Sequence, residues 1–206
     1  MPEHSYPAAV DDVRAVWSWL RESGLNAGRI VVAGDSAGGT LAMTLVVGLR
    51  DAGQDLPAGL ALFSPVVDMT ASGESVVGRE DRDPLFTADA VRATGPAYAP
   101  NADLRDPRIS PLFADLRGLP PLLVQVGTEE TLFSDSERLV DAARAAGADA
   151  TLDVAPGMFH VYQAVGDAPE AIDATDRAGA FLRDATLARG GEPPIVCVCG
   201  GRNERY

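Results

Sequence analysis

The chain reads as an α/β domain with a mostly parallel sheet and helices on both faces. Three observations predict it. Short apolar runs occur at 30–33, 60–63 and 122–126, helix-period segments alternate with them, and 21 Gly and 15 Pro punctuate the chain. Uniformly apolar strands suit a sheet covered on both sides, and strands alternating with helices suit parallel crossovers. A 206-residue chain is about one domain, long enough to bury a real core.

Each element has its own local reason. From Ala8 to Arg21 the apolar residues Val10, Val13, Val16, Trp17 and Leu20 recur at three and four residues after Pro7, which predicts an amphipathic helix. Ile30 to Ala33 is a β-branched run between glycines, and Ala37 to Arg50 is rich in Ala, Leu and Met with Gly53 beyond it. Strand, sharp turn, helix is the reading. Further strands are expected at Leu60 to Phe63, Leu122 to Val126 and Ala150 to Val154, with helices at Asp135 to Ala146 and about Glu170 to Leu187. Residues 65–119 break this order with six prolines and one helical stretch, Ala88 to Ala99, and an excursion of that length suits a segment that covers a site. Residues 1–188 form the domain, and 189–206 change composition abruptly and are expected to be a loose tail.

Composition narrows function. Apolar residues at 46%, charged at 23% and aromatics at 6% are globular values. A formal charge of −13 repels phosphate backbones, so nucleic acid is excluded as a partner. No stretch approaches the roughly 18 apolar residues of a membrane helix, and the start MPEHSYPAAVDD has no signal-peptide pattern. The two cysteines, Cys197 and Cys199, are too close for an ordinary disulfide and too few for a metal site, so a reducing cytoplasm is the expected compartment.

Gly34-Asp35-Ser36-Ala37-Gly38 fits G-x-S-x-G, and its place between an apolar strand and a helix is the setting of a nucleophile elbow. A glycine-rich turn with a helix-capping serine is the plainer alternative. In the elbow, Ser36 stands above the carboxyl edge of the sheet and the Ala37 N–H, at a helix start, points at a developing oxyanion. A serine hydroxyl needs a base. Of the two histidines, His4 lies in the opening loop, whereas His160 follows Pro156-Gly157-Met158-Phe159 after the last strand, at the edge where α/β sheets bind ligands. An acid should orient that imidazole. Glu129 and Glu130 follow Leu122 to Val126 directly, and Asp135 is a further candidate that also suits a helix first turn.

The segments PEHSYPAAVDD, GDSAGG, DPRISPLFADLRGLPPLLVQVGTEETL and GMFH resemble the C-terminal two-thirds of the hormone-sensitive-lipase-like branch of α/β-hydrolases, the bacterial family IV carboxylesterases. The likeness covers roughly Pro2 to Asp184. It implies Ser36 as nucleophile, Glu130 as acid and His160 as base, hydrolysing short-to-medium acyl esters through an acyl-enzyme with no cofactor. The family's upstream His-Gly-Gly-Gly segment, which supplies most of its oxyanion hole, has no counterpart in these residues, and neither do its N-terminal strands and cap helices. This predicts a truncated or misannotated reading frame, an apolar edge on Ile30 to Ala33 open to aggregation or dimerisation, and a turnover loss beyond the roughly 10²- to 10³-fold that one oxyanion donor is worth. Where the family often has Asp four residues after the acid, Ser134 stands here with Asp135 beside it.

Leu132, Met158 and Phe159 flank the three and are read as lining an acyl pocket, with core packing as the alternative. Asp68, Asp83 and Asp106 each lie near a proline and read as turn chemistry, and Trp17 and Trp19 are expected to divide between core and surface. Two other readings use the same residues: a non-catalytic relative that holds a small apolar acid, and an acyltransferase or amidase.

Overall fold

The computed structural model describes residues 3–188 in full and the backbone of 195–199. Five parallel strands, β1 (Ile30–Asp35), β2 (Leu60–Phe63), β3 (Leu122–Gly127), β4 (Ala150–Ala155) and β5 (Ile195–Cys199), lie in the order β4-β3-β2-β1-β5. The helices are α1 (Ala8–Glu22), α2 (Ala37–Asp51), α3 (Ser75–Gly78), α4 (Ala88–Tyr98), α5 (Phe133–Ala145) and α6 (Pro169–Leu187).

Alternation along β1 sorts the core into two layers, because successive side chains leave a strand on opposite faces. Ile30 and Val32 face α1, α2 and α5, meeting Trp17, Leu20, Met43, Val46, Leu139 and Val140. Val31 and Ala33 face α6, meeting Phe181, Leu182 and Ala185. Met43 is fully buried, so truncating it to Ala would cost about 2–5 kcal/mol. On α1 the buried stripe is Val10, Trp17 and Leu20, while Val16 is 43% exposed and lies off the stripe that spacing suggested. The tryptophans divide as expected, Trp17 being buried and Trp19 63% exposed.

The excursion 65–119 is packed rather than structureless. Val66, Met69, Val76, Val91, Tyr98 and Ile109 close a second apolar cluster above the carboxyl ends of the strands. Thr87 caps α4 by accepting from Ala90 N at 3.2 Å. Gly95 is needed there because a Cβ would stand 2.2 Å from Met69 O.

Within the stretch expected to be a loose tail, Ile195–Cys199 pairs in parallel with Ile30–Gly34. The reason is the open edge of β1: an unpaired apolar strand offers a row of N–H and C=O groups, and the β-branched run IVCVC suits it. Residues 189–194 and 200–206 and the side chains of Cys197 and Cys199 lie outside the described residues, and so do the expectations placed on them. Among the described residues, no helix is long and apolar enough to cross a membrane.

Candidate active site

Ser36 alone separates β1 from α2, and it does so at φ 51°, ψ −119°. A non-glycine residue there costs on the order of 1–3 kcal/mol and persists only where its surroundings hold it. Three backbone bonds do so: Ser36 N donates to Phe63 O at 2.9 Å, and Ser36 O accepts from Gly39 N at 3.0 Å and Val66 N at 3.1 Å. The tight crossing dictates the neighbours. A Cβ at Gly34 would stand 2.4 Å from Gly38 O, and one at Gly39 would stand 2.5 Å from Pro65 Cβ. Ser36 is half-buried, and Ala37, the first residue of the 15-residue α2, is exposed. Its N–H belongs to the helix's unpaired first turn, where the dipole favours negative charge.

The acid and the imidazole meet. His160 Nδ1 lies 3.1 Å from Glu130 Oε2, with Glu130 fully buried and His160 6% exposed. Glu130 Oε1 accepts from Gly127 N at 2.6 Å and from Ser64 Oγ at 2.8 Å. Buried charge needs such partners, and these orient the carboxylate from the strand side. The histidine loop presses on the end of β3: a Cβ at Gly127 would stand 2.1 Å from Met158 O, and Glu129 N donates to that same oxygen at 3.0 Å. Phe86, from the excursion, meets the His160 ring edge to face with centroids 4.9 Å apart.

The other two carboxylates are committed elsewhere. Glu129 makes two 2.6 Å bonds with Arg82, which hold its carboxyl below the ordinary range. Asp135 accepts from Val67 N and Asp68 N, both at 3.0 Å, and burial pushes its carboxyl up to about 7. Beside it, Ser134 and Ser75 exchange bonds, Ser75 N donating to Ser134 Oγ and Ser134 N to Ser75 Oγ. Positions 134 and 135 thus anchor the excursion to α5.

Ser36 shares the rim without bonding the histidine: among the described residues no hydrogen bond joins its hydroxyl to either His160 or His4. The nearest connection runs through β2, where Phe63 O holds Ser36 N and the next residue, Ser64, touches both Glu130 and Val161 N. The expected pocket residues sit in packed clusters. Leu132 is 3% exposed within the second apolar cluster, and Met158 and Phe159 pack against Ala155, Tyr162 and Ala174. An apolar cavity of about 190 Å³ does adjoin Ala37, lined by His4, Thr40, Leu41, Met69, Thr94 and Tyr98, with none of those three among its walls.

Sequence reading missed three contributors. Ser64 follows β2 at the same edge that singled out the residues after β1, β3 and β4, so its position was the available signal. Asp83 does make turn bonds to Leu85 N and Phe86 N, but its other oxygen accepts from Thr131 N and Thr131 Oγ1, both at 2.8 Å, tying the excursion to the residue after Glu130. Arg79 donates to Thr128 O and lies over the Phe133 ring at 3.6 Å. Asp68 and Asp106 make the expected turn bonds, to Thr70 N and Arg108 N, each at 2.9 Å.

The pattern of the alpha/beta hydrolase fold family matches residues 1–164. An acetyl-hydrolase of Streptomyces hygroscopicus is 44% identical over 186 residues, 90% of this chain and 62% of that protein. An esterase of Acinetobacter venetianus is 38% identical over 164 residues, 79% of this chain and 54% of that one. Among solved structures, an esterase of the bacterial hormone-sensitive lipase family superposes with a TM-score of 0.87 at 43% identity, covering 90% of this chain and 63% of the other. EstE5 superposes at 0.88 with 38% identity and the same coverage. The chain therefore spans less than two-thirds of the length of these relatives. With its parallel sheet, its strained serine turn and this match over most of its length, the chain belongs to the alpha/beta hydrolase fold family.

Proposed function

We propose that the chain carries the nucleophile, acid and base of a serine carboxylesterase acting on short-to-medium acyl esters. The observation that carries this reading is the buried Glu130–His160 pair at 3.1 Å, on the strand edge where Ser36 is held in a strained turn. Strain and buried charge both cost stability, and they coincide where chemistry would use them.

In this reading the Ser36 hydroxyl attacks the ester carbonyl and passes its proton to His160 Nε2. Glu130, on Nδ1, holds the tautomer that leaves Nε2 free and offsets the imidazolium charge. The Ala37 N–H faces the oxyanion. His160 then returns the proton to the leaving alkoxide, leaving an acyl-serine. Water, deprotonated by His160, attacks that acyl group and releases the carboxylic acid and free Ser36. The absence of a Ser36–His160 bond without substrate fits sites whose catalytic contacts tighten only in the complex. The relatives named esterase and acetyl-hydrolase support the same chemistry.

The test is hydrolysis of p-nitrophenyl acetate and butyrate together with fluorophosphonate labelling. Turnover and labelling that both vanish in Ser36→Ala are expected. No turnover and no labelling at Ser36 in the unaltered chain would end the esterase reading in favour of a binding role, and acyl products from added alcohols or amines would mark a transferase.

A further inference from the structure

We infer that Ser64 is a positioning residue that couples the acid to the histidine loop, an inference that rests on the triad assignment above. Its hydroxyl sits between the two: Val161 N donates to Ser64 Oγ at 3.0 Å, and Ser64 Oγ donates to Glu130 Oε1 at 2.8 Å. A hydroxyl has one proton, and with Val161 N–H occupying an acceptor site that proton is left for the carboxylate. Two routes therefore run from residues 160–161 to Glu130, one through the imidazole to Oε2 and one through Val161 and Ser64 to Oε1.

Backbone strain marks the second route. Ser64 is fully buried at φ 48°, and Val161 is left-handed at φ 51°, ψ 44°. A β-branched residue in that region is a true outlier and needs an external hold. Ser64 supplies it, and its own backbone is pinned by donation to Gln125 O at 2.8 Å. Without the hydroxyl, Val161 is free to relax to an ordinary conformation and to turn the adjacent His160 away from Glu130, while a buried carboxylate oxygen loses one of its two donors. Small errors of that kind in a catalytic base are costly to turnover and nearly silent in substrate binding.

Two variants of the full chain test this. Ser64→Ala removes the hydroxyl and keeps the strain, whereas Ser64→Gly removes both and suits a positive φ, so it folds even if the alanine form does not. The first readout needs no activity: ¹⁵N NMR of the imidazole, assigned with His4→Gln, reports which nitrogen carries the proton. The unaltered chain should hold His160 in the Nδ1–H tautomer, and the variants should show a mixture. The second is kinetic: kcat should fall about 10²-fold in both variants with KM within about twofold. An unchanged tautomer in Ser64→Gly, or a His160 already divided between tautomers in the unaltered chain, overturns the coupling. So does a Ser64→Gly enzyme with unaltered kcat. Absent turnover and labelling in the unaltered chain count against the esterase reading alone, because the tautomer measurement stands apart from them.

Discussion

The two oxygens of Glu130 have separate partners: Oε2 faces His160 Nδ1 at 3.1 Å, and Oε1 accepts from Gly127 N at 2.6 Å. The carboxylate is thus aimed by the end of β3 and read by the histidine loop. Glu129, its sequence neighbour, points to Arg82 on the surface.

That division predicts unequal effects for two chemically identical changes. Glu130→Gln keeps the size and loses the charge that, in the proposed mechanism, favours the imidazolium, so kcat should fall by roughly 10²- to 10⁴-fold with KM little changed. Glu129→Gln breaks a solvent-screened surface ion pair with Arg82 and should leave kcat within about twofold. Steady-state kinetics on a p-nitrophenyl ester checks both, and equal losses would remove Glu130 from the role given to it.

Two glycines should respond oppositely to alanine. At Gly34 the new Cβ would be 2.4 Å from Gly38 O, a backbone atom that cannot swing aside, so Gly34→Ala should destabilise by at least about 1–3 kcal/mol. Gly179 lies on the exposed side of α6 with nothing within 4 Å of the added carbon, so Gly179→Ala should stabilise by about 0.5–1 kcal/mol. Urea denaturation midpoints report each sign.

Asp135 should leave a signature in stability against pH. Burial raises its carboxyl in the folded state to about 7, against an ordinary value of 3.8. Between those limits the folded chain keeps a proton that the unfolded chain has lost, so stability from this group falls as pH rises from about 4 to 7 and levels above. Asp135→Asn still accepts from Val67 N and Asp68 N but cannot titrate. The stability of the unaltered chain relative to this variant should fall by roughly 2–3 kcal/mol between pH 5 and 7.5. Urea unfolding at both pH values measures it, and a constant difference would show that the carboxyl titrates alike in both states.

The pairing of β5 with β1 predicts association when it is removed. A chain ending at residue 188 would expose the Ile30–Gly34 edge, with its backbone groups unpaired. Size-exclusion chromatography over a range of concentrations should show larger species for that chain and fewer for the full one. Identical elution profiles would mean that the edge does not drive association.

What local chemistry could encode was readable in the residues. Strands β1 to β4 and the long helices appear within about two residues of their expected ends, because apolar period and glycine punctuation are properties of short windows. The serine turn was legible for the same reason: a crossing that tight admits only small residues, and Gly34, Gly38 and Gly39 stand together in the chain.

Relations across the chain could be decided only by folding. Glu129, Glu130 and Asp135 lie within seven positions and carry the same charge, so nothing local separates them, whereas the ladder of β3 turns one toward His160 and leaves Arg82 and the Val67–Asp68 amides to claim the others. Leu132, Met158 and Phe159 sat near the site in sequence yet pack into clusters, since proximity along a chain does not say which face a side chain leaves from. Ser64 carries no motif at all. Its place comes from the parallel sheet, which sets the ends of β1, β2, β3 and β4 side by side and makes neighbours of residues nearly a hundred positions apart.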